Sequence, residues 1–383
     1  MRVLICTDSF KDTLDASSVG KCIEKTIQNF EEQDGSNEVI CEVIPLSDGG
    51  EGFLGAFREV LNFKTGKFMV THPAHPFCDE VNAAYGYTEG EHSIACVEFA
   101  EAAGLELVPI ERRNPLKTTA VGVGQLLKHI ELTHSPEIIY MGIGGSSTNE
   151  AGISILQGLG AIITMSDGTN LSRPLTGGDL FNIMGIDMSP IEFSTPIALC
   201  CDVNNPFCGE NGAVAVFSPQ KGAKTFEMRS ELEFGMINVA SLLSISCDQP
   251  CFGASGGVPG GLSALLKDKL NIKSGIEFLF SMIGIEEKVA NADMIITGEG
   301  SFDSQSIQGK VIGQLYQIVE RVKGSTDMVR VICGKREPLD NFKNSHVVAL
   351  SEHCELEDCF NKTEECIERV ISLKTDLFNP YLH

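Results

Sequence analysis

The sequence predicts an α/β protein of two domains: a mostly parallel, Rossmann-like sheet domain with a second, mixed α/β domain inserted into it. Three observations predict it. Short apolar runs alternate with amphipathic helical stretches near both ends of the chain, the pattern of parallel strands covered by helices. Polar loops rich in Gly and Asp follow these runs, at the strand ends where open sheets bind ligands. Between the two ends, residues 64–283 are richer in Gly and Pro and mix strands with loops. The expected division is residues 1–63 with 284–383 as the discontinuous Rossmann-like domain and 64–283 as the insertion. The active site is expected in the cleft between them.

The elements follow in order. Val3–Cys6 is an apolar run ending in Asp8-Ser9-Phe10-Lys11. Val19, Ile23, Ile27 and Phe30 fall at helical spacing. Asp15 is placed to cap that helix, with Leu14 and Val19 as its hydrophobic staple. Val39–Ile44 reads as the next strand, and Phe53, Leu54, Phe57, Val60 and Leu61 trace a helical stripe after it. In the insertion, Ile138–Met141 is a strand. Near the C-terminus Met294–Thr297 is a strand and Gly298–Asp303 a loop. Ile312, Leu315, Val319 and Val322 mark a helix, and Val329–Cys333 and Val347–Leu350 are further strands.

Composition narrows the function. The chain has 383 residues, 43% hydrophobic and 21% charged, enough for a packed core. Its 29 basic and 52 acidic residues leave a net charge of −23, which repels nucleic acid and anionic membranes. No apolar run approaches the roughly 18 residues that cross a bilayer. The N-terminal run is too short for a signal-peptide core of about 7–15 residues, so a cytoplasmic location is expected. The 14 cysteines form no C-x-x-C pair. They read as reduced, mostly buried thiols rather than a zinc site.

Five loops offer chemistry. Lys11, after the first strand, suits a phosphate or carboxylate as a point charge; the competing reading is a solvated lysine. Asp48-Gly49-Gly50-Glu51-Gly52 offers a general base or metal ligand, or a helix start with favourable acids. Gly142-Ile143-Gly144-Gly145-Ser146-Ser147-Thr148-Asn149-Glu150 has the residues of an anion cradle at a helix start, or of an ordinary Gly-rich turn. Asp202 and Asn204, before Pro206, suit Mg²⁺ or a substrate hydroxyl, or an Asx turn. Glu299, Asp303 and Lys310 again give two carboxylates and a lysine, or a plain polar loop. P-loop, protein-kinase and dinucleotide-binding signatures are absent from the sequence.

Taken in order, these loops resemble those of the class I, bacterial-type glycerate kinases. The resemblance runs from Met1 to about Ser351. It rests on Asp8-Ser9-Phe10-Lys11, Ser47-Asp48-Gly49-Gly50-Glu51-Gly52, Arg113-Asn114-Pro115-Leu116-Lys117-Thr118-Thr119 and Gly142-Ile143-Gly144-Gly145-Ser146. It continues through Cys201-Asp202-Val203-Asn204-Asn205-Pro206, Pro219-Gln220-Lys221-Gly222-Ala223 and Ile296-Thr297-Gly298-Glu299-Gly300 with Asp303 and Gln305. The resemblance implies MgATP-dependent phosphorylation of D-glycerate, with 2-phosphoglycerate favoured over 3-phosphoglycerate, on two α/β domains. The cofactors implied are ATP and Mg²⁺. The partners are these small molecules, and a homo-oligomer is compatible with the pattern.

Phosphoryl transfer is mostly positioning and charge neutralisation, so an acidic chain needs a locally basic site. Lys11, Arg113, Lys117, Lys221 and Lys310 are its candidates, with Lys11 and Lys310 acting on the reacting phosphate. Asp48 is the expected base at the glycerate hydroxyl. Gly144, Gly145 and Ser146 are expected to cradle phosphates, and Ser9, Glu51, Asn149, Asn204 and Glu299 to bind substrate or phosphate. Asp202 and Asp303 are the expected metal ligands, with Glu299 in reserve. The chain departs from the resembled pattern at Asp12 and Ala151, where glycines are usual, at Glu150, usually Asp, and at Ser301, usually Arg. These departures leave two alternatives: a weak or inactive nucleotide- or glycerate-binding homologue, or a kinase of another small hydroxy acid. Lys335 or Arg336 is the expected substitute for the arginine missing at Ser301.

Overall fold

The computed structural model describes all residues except 11–12, 35–38, 47–53, 56–62, 75–78, 91, 305, 308–310, 338, 340–345 and 379–383. Its strands, in chain order, are β1 (Arg2–Thr7), β2 (Ile40–Pro45), β3 (Lys64–Thr71), β4 (Glu80–Tyr87), β5 (Ile94–Glu98), β6 (Ile138–Gly142) and β7 (Ile162–Met165). They continue as β8 (Ile183–Asp187), β9 (Ile197–Cys200), β10 (Leu270–Lys273), β11 (Met294–Phe302), β12 (Val329–Arg336) and β13 (Val347–Ala349). The chain divides into two compact units. One comprises Met1–Asp48, Gly55–Leu61 and Gly275–His383, the other Gly49–Leu54 and Asn62–Ser274.

The first unit is built on a parallel five-stranded sheet of order β13-β12-β11-β1-β2. The runs Val3 to Cys6 of β1 and Met294 to Ile296 of β11 are apolar and buried, because a parallel sheet is covered on both faces. The helix Ala16–Asp34 packs Val19, Ile23 and Ile27 into this core. Asp15 caps it, its carboxylate accepting the Ser18 N–H at 2.7 Å. The expected loop at Gly298–Phe302 is instead strand. β11 runs on to Phe302 and β12 to Arg336, with Ser301 opposite Lys335. Pairing with each other satisfies backbone groups that a Gly- and Ser-containing stretch would otherwise leave to solvent.

The second unit carries a six-stranded sheet of order β10-β9-β6-β5-β4-β3. β10, β9, β6 and β5 are parallel, while β5, β4 and β3 run antiparallel. A separate hairpin joins β7 to β8. The four parallel strands end at one edge of the sheet: Glu98 lies opposite Gly142, and Gly142 opposite Cys200. That edge gathers the loops that follow them.

Candidate active site

The Gly-rich loop leaves β6 and the Asp202 loop leaves the neighbouring β9, so the sheet's register sets them side by side. Three further segments close around the Gly-rich loop. Leu105 N–H donates to Gly145 O at 2.7 Å and Ser147 N–H to Ala103 O at 3.0 Å. Thr118 Oγ1 donates to Ser147 O at 2.9 Å. Lys221 Nζ donates to Ser146 Oγ at 2.8 Å and to Thr148 O at 2.5 Å. Gly222, at φ +105°, turns the Lys221 loop so tightly that a side chain there would strike the Arg113 carbonyl. Four motifs that are far apart in sequence, containing Arg113, Ser146, Asp202 and Lys221, thus lie around one sheet edge.

A fifth segment completes the cluster and was not among the loops singled out from sequence. Ser255 Oγ donates to Ile143 O, Ala151 N–H donates to Gly256 O at 2.9 Å and Gly253 N–H to Asn205 O at 3.0 Å. The run Gly253-Ala254-Ser255-Gly256-Gly257 was the visible signal. It joins the Gly-rich loop to the Asp202 loop.

The electrostatics of this cluster are those of a dry site. Lys221 is 2% exposed, and burial pushes its ammonium down to about 7, against a partial pull upward from Glu150. Glu150 is fully buried; burial raises its carboxyl despite hydrogen bonds from Ser154 and Thr148. Asn149 is 0% exposed, and neither its Nδ2 nor its Oδ1 has a hydrogen-bond partner. The Ser218 hydroxyl is also buried without one. Buried amides are normally satisfied, and an orphan of this kind costs about 1–3 kcal/mol. A polar ligand at this loop would supply the missing partners.

The Gly-rich loop differs from the expected anion cradle in one respect. The next helix begins only at Ile153, well past Gly144, Gly145 and Ser146, so the helix dipole does not face them. The positive charge there comes from Lys221 instead. Ala151 takes φ +60°, the left-handed region that favours glycine, at one of the positions where the sequence departs from the resembled pattern.

The remaining expected residues are placed as follows. Arg113 is partly buried, its Nε donating to Val108 O at 3.2 Å and its Nη2 lying 3.6 Å from Glu106. Lys117 is exposed. Asp202 is exposed, and its Oδ1 accepts from Ser274 Oγ at 2.6 Å. Asn204 is exposed, its Oδ1 accepting from Cys251 Sγ at 3.4 Å.

In the first unit, Asp8 N–H donates to Gly298 O at 2.9 Å, setting the Ser9 loop beside the Glu299 strand. Ser9 N–H donates to Asp8 Oδ1 at 2.7 Å. Glu299 is buried in β11; burial of the Cys333 thiol, and after it the Glu299 charge, lift that thiol to about 12. Asp303 N–H donates to Ser306 Oγ at 3.0 Å. Lys335 is exposed opposite Ser301. Arg336 is committed to Glu352 at 2.7 Å and to Val347 O at 2.8 Å. Of the two cations expected to replace an arginine at 301, the register therefore sets Lys335 beside it. Lys11, Asp12, Asp48, Glu51, Gln305 and Lys310 lie outside the described residues.

Among the described residues no group of three or more His, Cys, Asp or Glu is arranged to hold a metal by itself. A Mg²⁺ carried with a nucleotide needs only one or two carboxylates, the rest being phosphate oxygens and water. Asp202, exposed at a strand end, fits that role. The buried Lys221 and the orphaned Asn149 amide fit a phosphate-bearing ligand in the same way.

The family to which the chain is matched makes it a phosphotransferase with an alcohol group as acceptor, a small-molecule kinase. The family model described as "Glycerate kinase family" matches residues 3–377, and the chain belongs to that family. It is 38% identical over 319 residues to glycerate kinase of Haemophilus influenzae, covering 81% of this chain and 80% of that one. It is 37% identical over 323 residues to glycerate 2-kinase of Escherichia coli, with coverage of 81% and 80%. A crystal structure of a protein assigned as glycerate kinase 2, from Salmonella typhimurium LT2, superposes with a TM-score of 0.77 at 33% identity, covering 98% of this chain and 99% of that one.

Proposed function

We propose that this chain transfers the γ-phosphate of ATP to D-glycerate, with 2-phosphoglycerate as the product. The observation that carries the reading is the orphaned, buried Asn149 amide on the Gly-rich loop, with the buried Lys221 ammonium bonded to the same loop at Ser146 and Thr148. Lys221 and the backbone of Gly144, Gly145 and Ser146 hold phosphate oxygens, and Asn149 gains the hydrogen bonds it lacks. Arg113, Lys117, Lys11 and Lys310 supply further positive charge. Asp48 accepts the proton of the attacking glycerate hydroxyl as its oxygen bonds to the γ-phosphorus and the bond to the β-phosphate oxygen breaks. Asp202 and Asp303 would hold Mg²⁺, which when bound neutralises phosphate charge. Ser9, Glu51, Asn204 and Glu299 position the acceptor and the phosphates. We place the reaction in the cytoplasm, a reading that the free thiols at every described cysteine support.

The test is ADP release, by a coupled assay, with ATP, Mg²⁺ and D-glycerate. Phosphorus NMR of the product separates the 2- and 3-phosphates. Turnover with another hydroxy acid but not with glycerate would reassign the acceptor. A complete lack of ADP release across a panel of acceptors would leave a binding protein. That second reading is favoured by one observation, the left-handed strain at Ala151 beside the cradle.

A further inference from the structure

Two pairs of thiols meet beneath the Asp202 loop. Cys208 N–H donates to Cys247 O at 3.2 Å, and their side chains are hydrogen-bond partners. A backbone hydrogen bond of this kind holds two Cα atoms about 5–6 Å apart, within the span of a disulfide. The Cys201 and Cys251 side chains are partners in the same way. Cys201 Sγ also donates to Val203 O at 3.3 Å and Cys251 Sγ to Asn204 Oδ1 at 3.4 Å. All four are free thiols. Cys201 and Cys208 are buried, while Cys247 and Cys251 are half-buried. The four do not form a metal-holding group, so they stand as two dithiols. Between Cys201 and Cys208 lie Asp202 and Asn204, and Cys251 is held at φ +68°, an unusual conformation for a residue with a side chain.

We propose that these pairs are a redox clasp: a small aliphatic disulfide oxidises them to Cys208–Cys247 and Cys201–Cys251 bonds that fasten the Asp202 loop to the turn at residues 247–251. The half-buried sulfur of Cys247 or Cys251, having lost its proton, attacks one sulfur of the oxidant and expels a thiolate. The buried partner then loses its proton, attacks the mixed disulfide and expels the second thiolate. Two protein thiols become one disulfide, the oxidant is reduced to two thiols, and these carry away both protons. Without an oxidant the four thiols stay reduced and the clasp stays open. That closure lowers turnover rests on the proposed roles of Asp202 and Asn204; formation of the bonds does not.

The test uses the full chain treated with oxidised glutathione, with remaining thiols alkylated and linked peptides identified by mass spectrometry. The expected result is two links, 208 to 247 and 201 to 251, each with the loss of two hydrogens, and a loss of turnover that dithiothreitol reverses. Cys208→Ser should stop at a glutathione adduct on Cys247. The proposal is overturned if wild-type Cys247 and Cys251 stop at adducts, if the links join other cysteines, or if the fully linked protein turns over unchanged. A preparation that lacks kinase activity before oxidation bears on the proposed reaction alone, because the peptide map still decides the clasp.

Discussion

Two lysines of this chain, one in a turn between two helices and one on a parallel strand, sit in opposite surroundings. Lys221 is enclosed, holds two protein oxygens and has its ammonium lowered by burial. Lys335 is exposed on β12, opposite Ser301. The same side chain is a fixed, titrating donor in one place and a solvated point charge in the other. The difference teaches that the enclosed lysine acts through geometry and protonation, and the exposed one only through a screened field.

The comparison breaks first at Lys221. Lys221→Met should lower kcat/KM by about 100-fold or more, since a charge-assisted donor in a dry site is removed. Steady-state kinetics on a variant shown to be folded by circular dichroism checks it. Activity within a few-fold of the parent would remove Lys221 from the site.

Asn149→Leu should lower kcat/KM by about tenfold yet raise stability by about 1 kcal/mol, because the amide has no partner to lose in the free protein. Chemical denaturation alongside kinetics reads both. A loss of stability would mean that the amide is satisfied without ligand.

The third expectation concerns protons. Lys221 titrates near 7 in the free protein, against about 10.4 in the unfolded chain. In that window the unfolded state binds more protons, so stability should rise with pH. A bound anion favours the ammonium, so ligand binding should take up a proton there and affinity should fall as pH rises. Titration calorimetry with ATP in two buffers of different ionisation enthalpy would reveal the uptake. No uptake at about pH 8 would mean that Lys221 stays charged in the free protein.

Lys335→Ala should cost only about threefold in kcat, less at high salt, as expected of an exposed cation. A loss as large as that at Lys221 would erase the contrast between the two regions. Smallest in its effect on turnover, Ala151→Gly should stabilise the chain by about 1 kcal/mol, by releasing the left-handed strain, and leave kcat near the parent value. A thermal melt decides it.

What was legible in the sequence was local. The Asp15 cap and the Val19, Ile23 and Ile27 stripe are set by neighbours a turn away, and the structure holds them as read. The order of the chemical loops was equally plain. Less legible was anything decided by a distant partner. Gly298–Phe302 has the composition of a loop, and only pairing with β12 makes it strand. Lysines are almost always exposed, so nothing near Lys221 in sequence announces its burial beneath Ser146 and Thr148. The Ser255 segment was visible as a glycine run, but its contact with Ile143 spans more than a hundred residues.

The enclosure of Lys221 also bears on how the protein meets its ligand in solution. A chain of net charge −23 repels an anion at long range, and dissolved salt weakens that repulsion beyond about 8–10 Å. The contact at Lys221 lies out of reach of mobile ions and keeps its strength. Added salt should therefore speed the arrival of an anion without hastening its departure from this loop, the reverse of what an exposed basic patch would give.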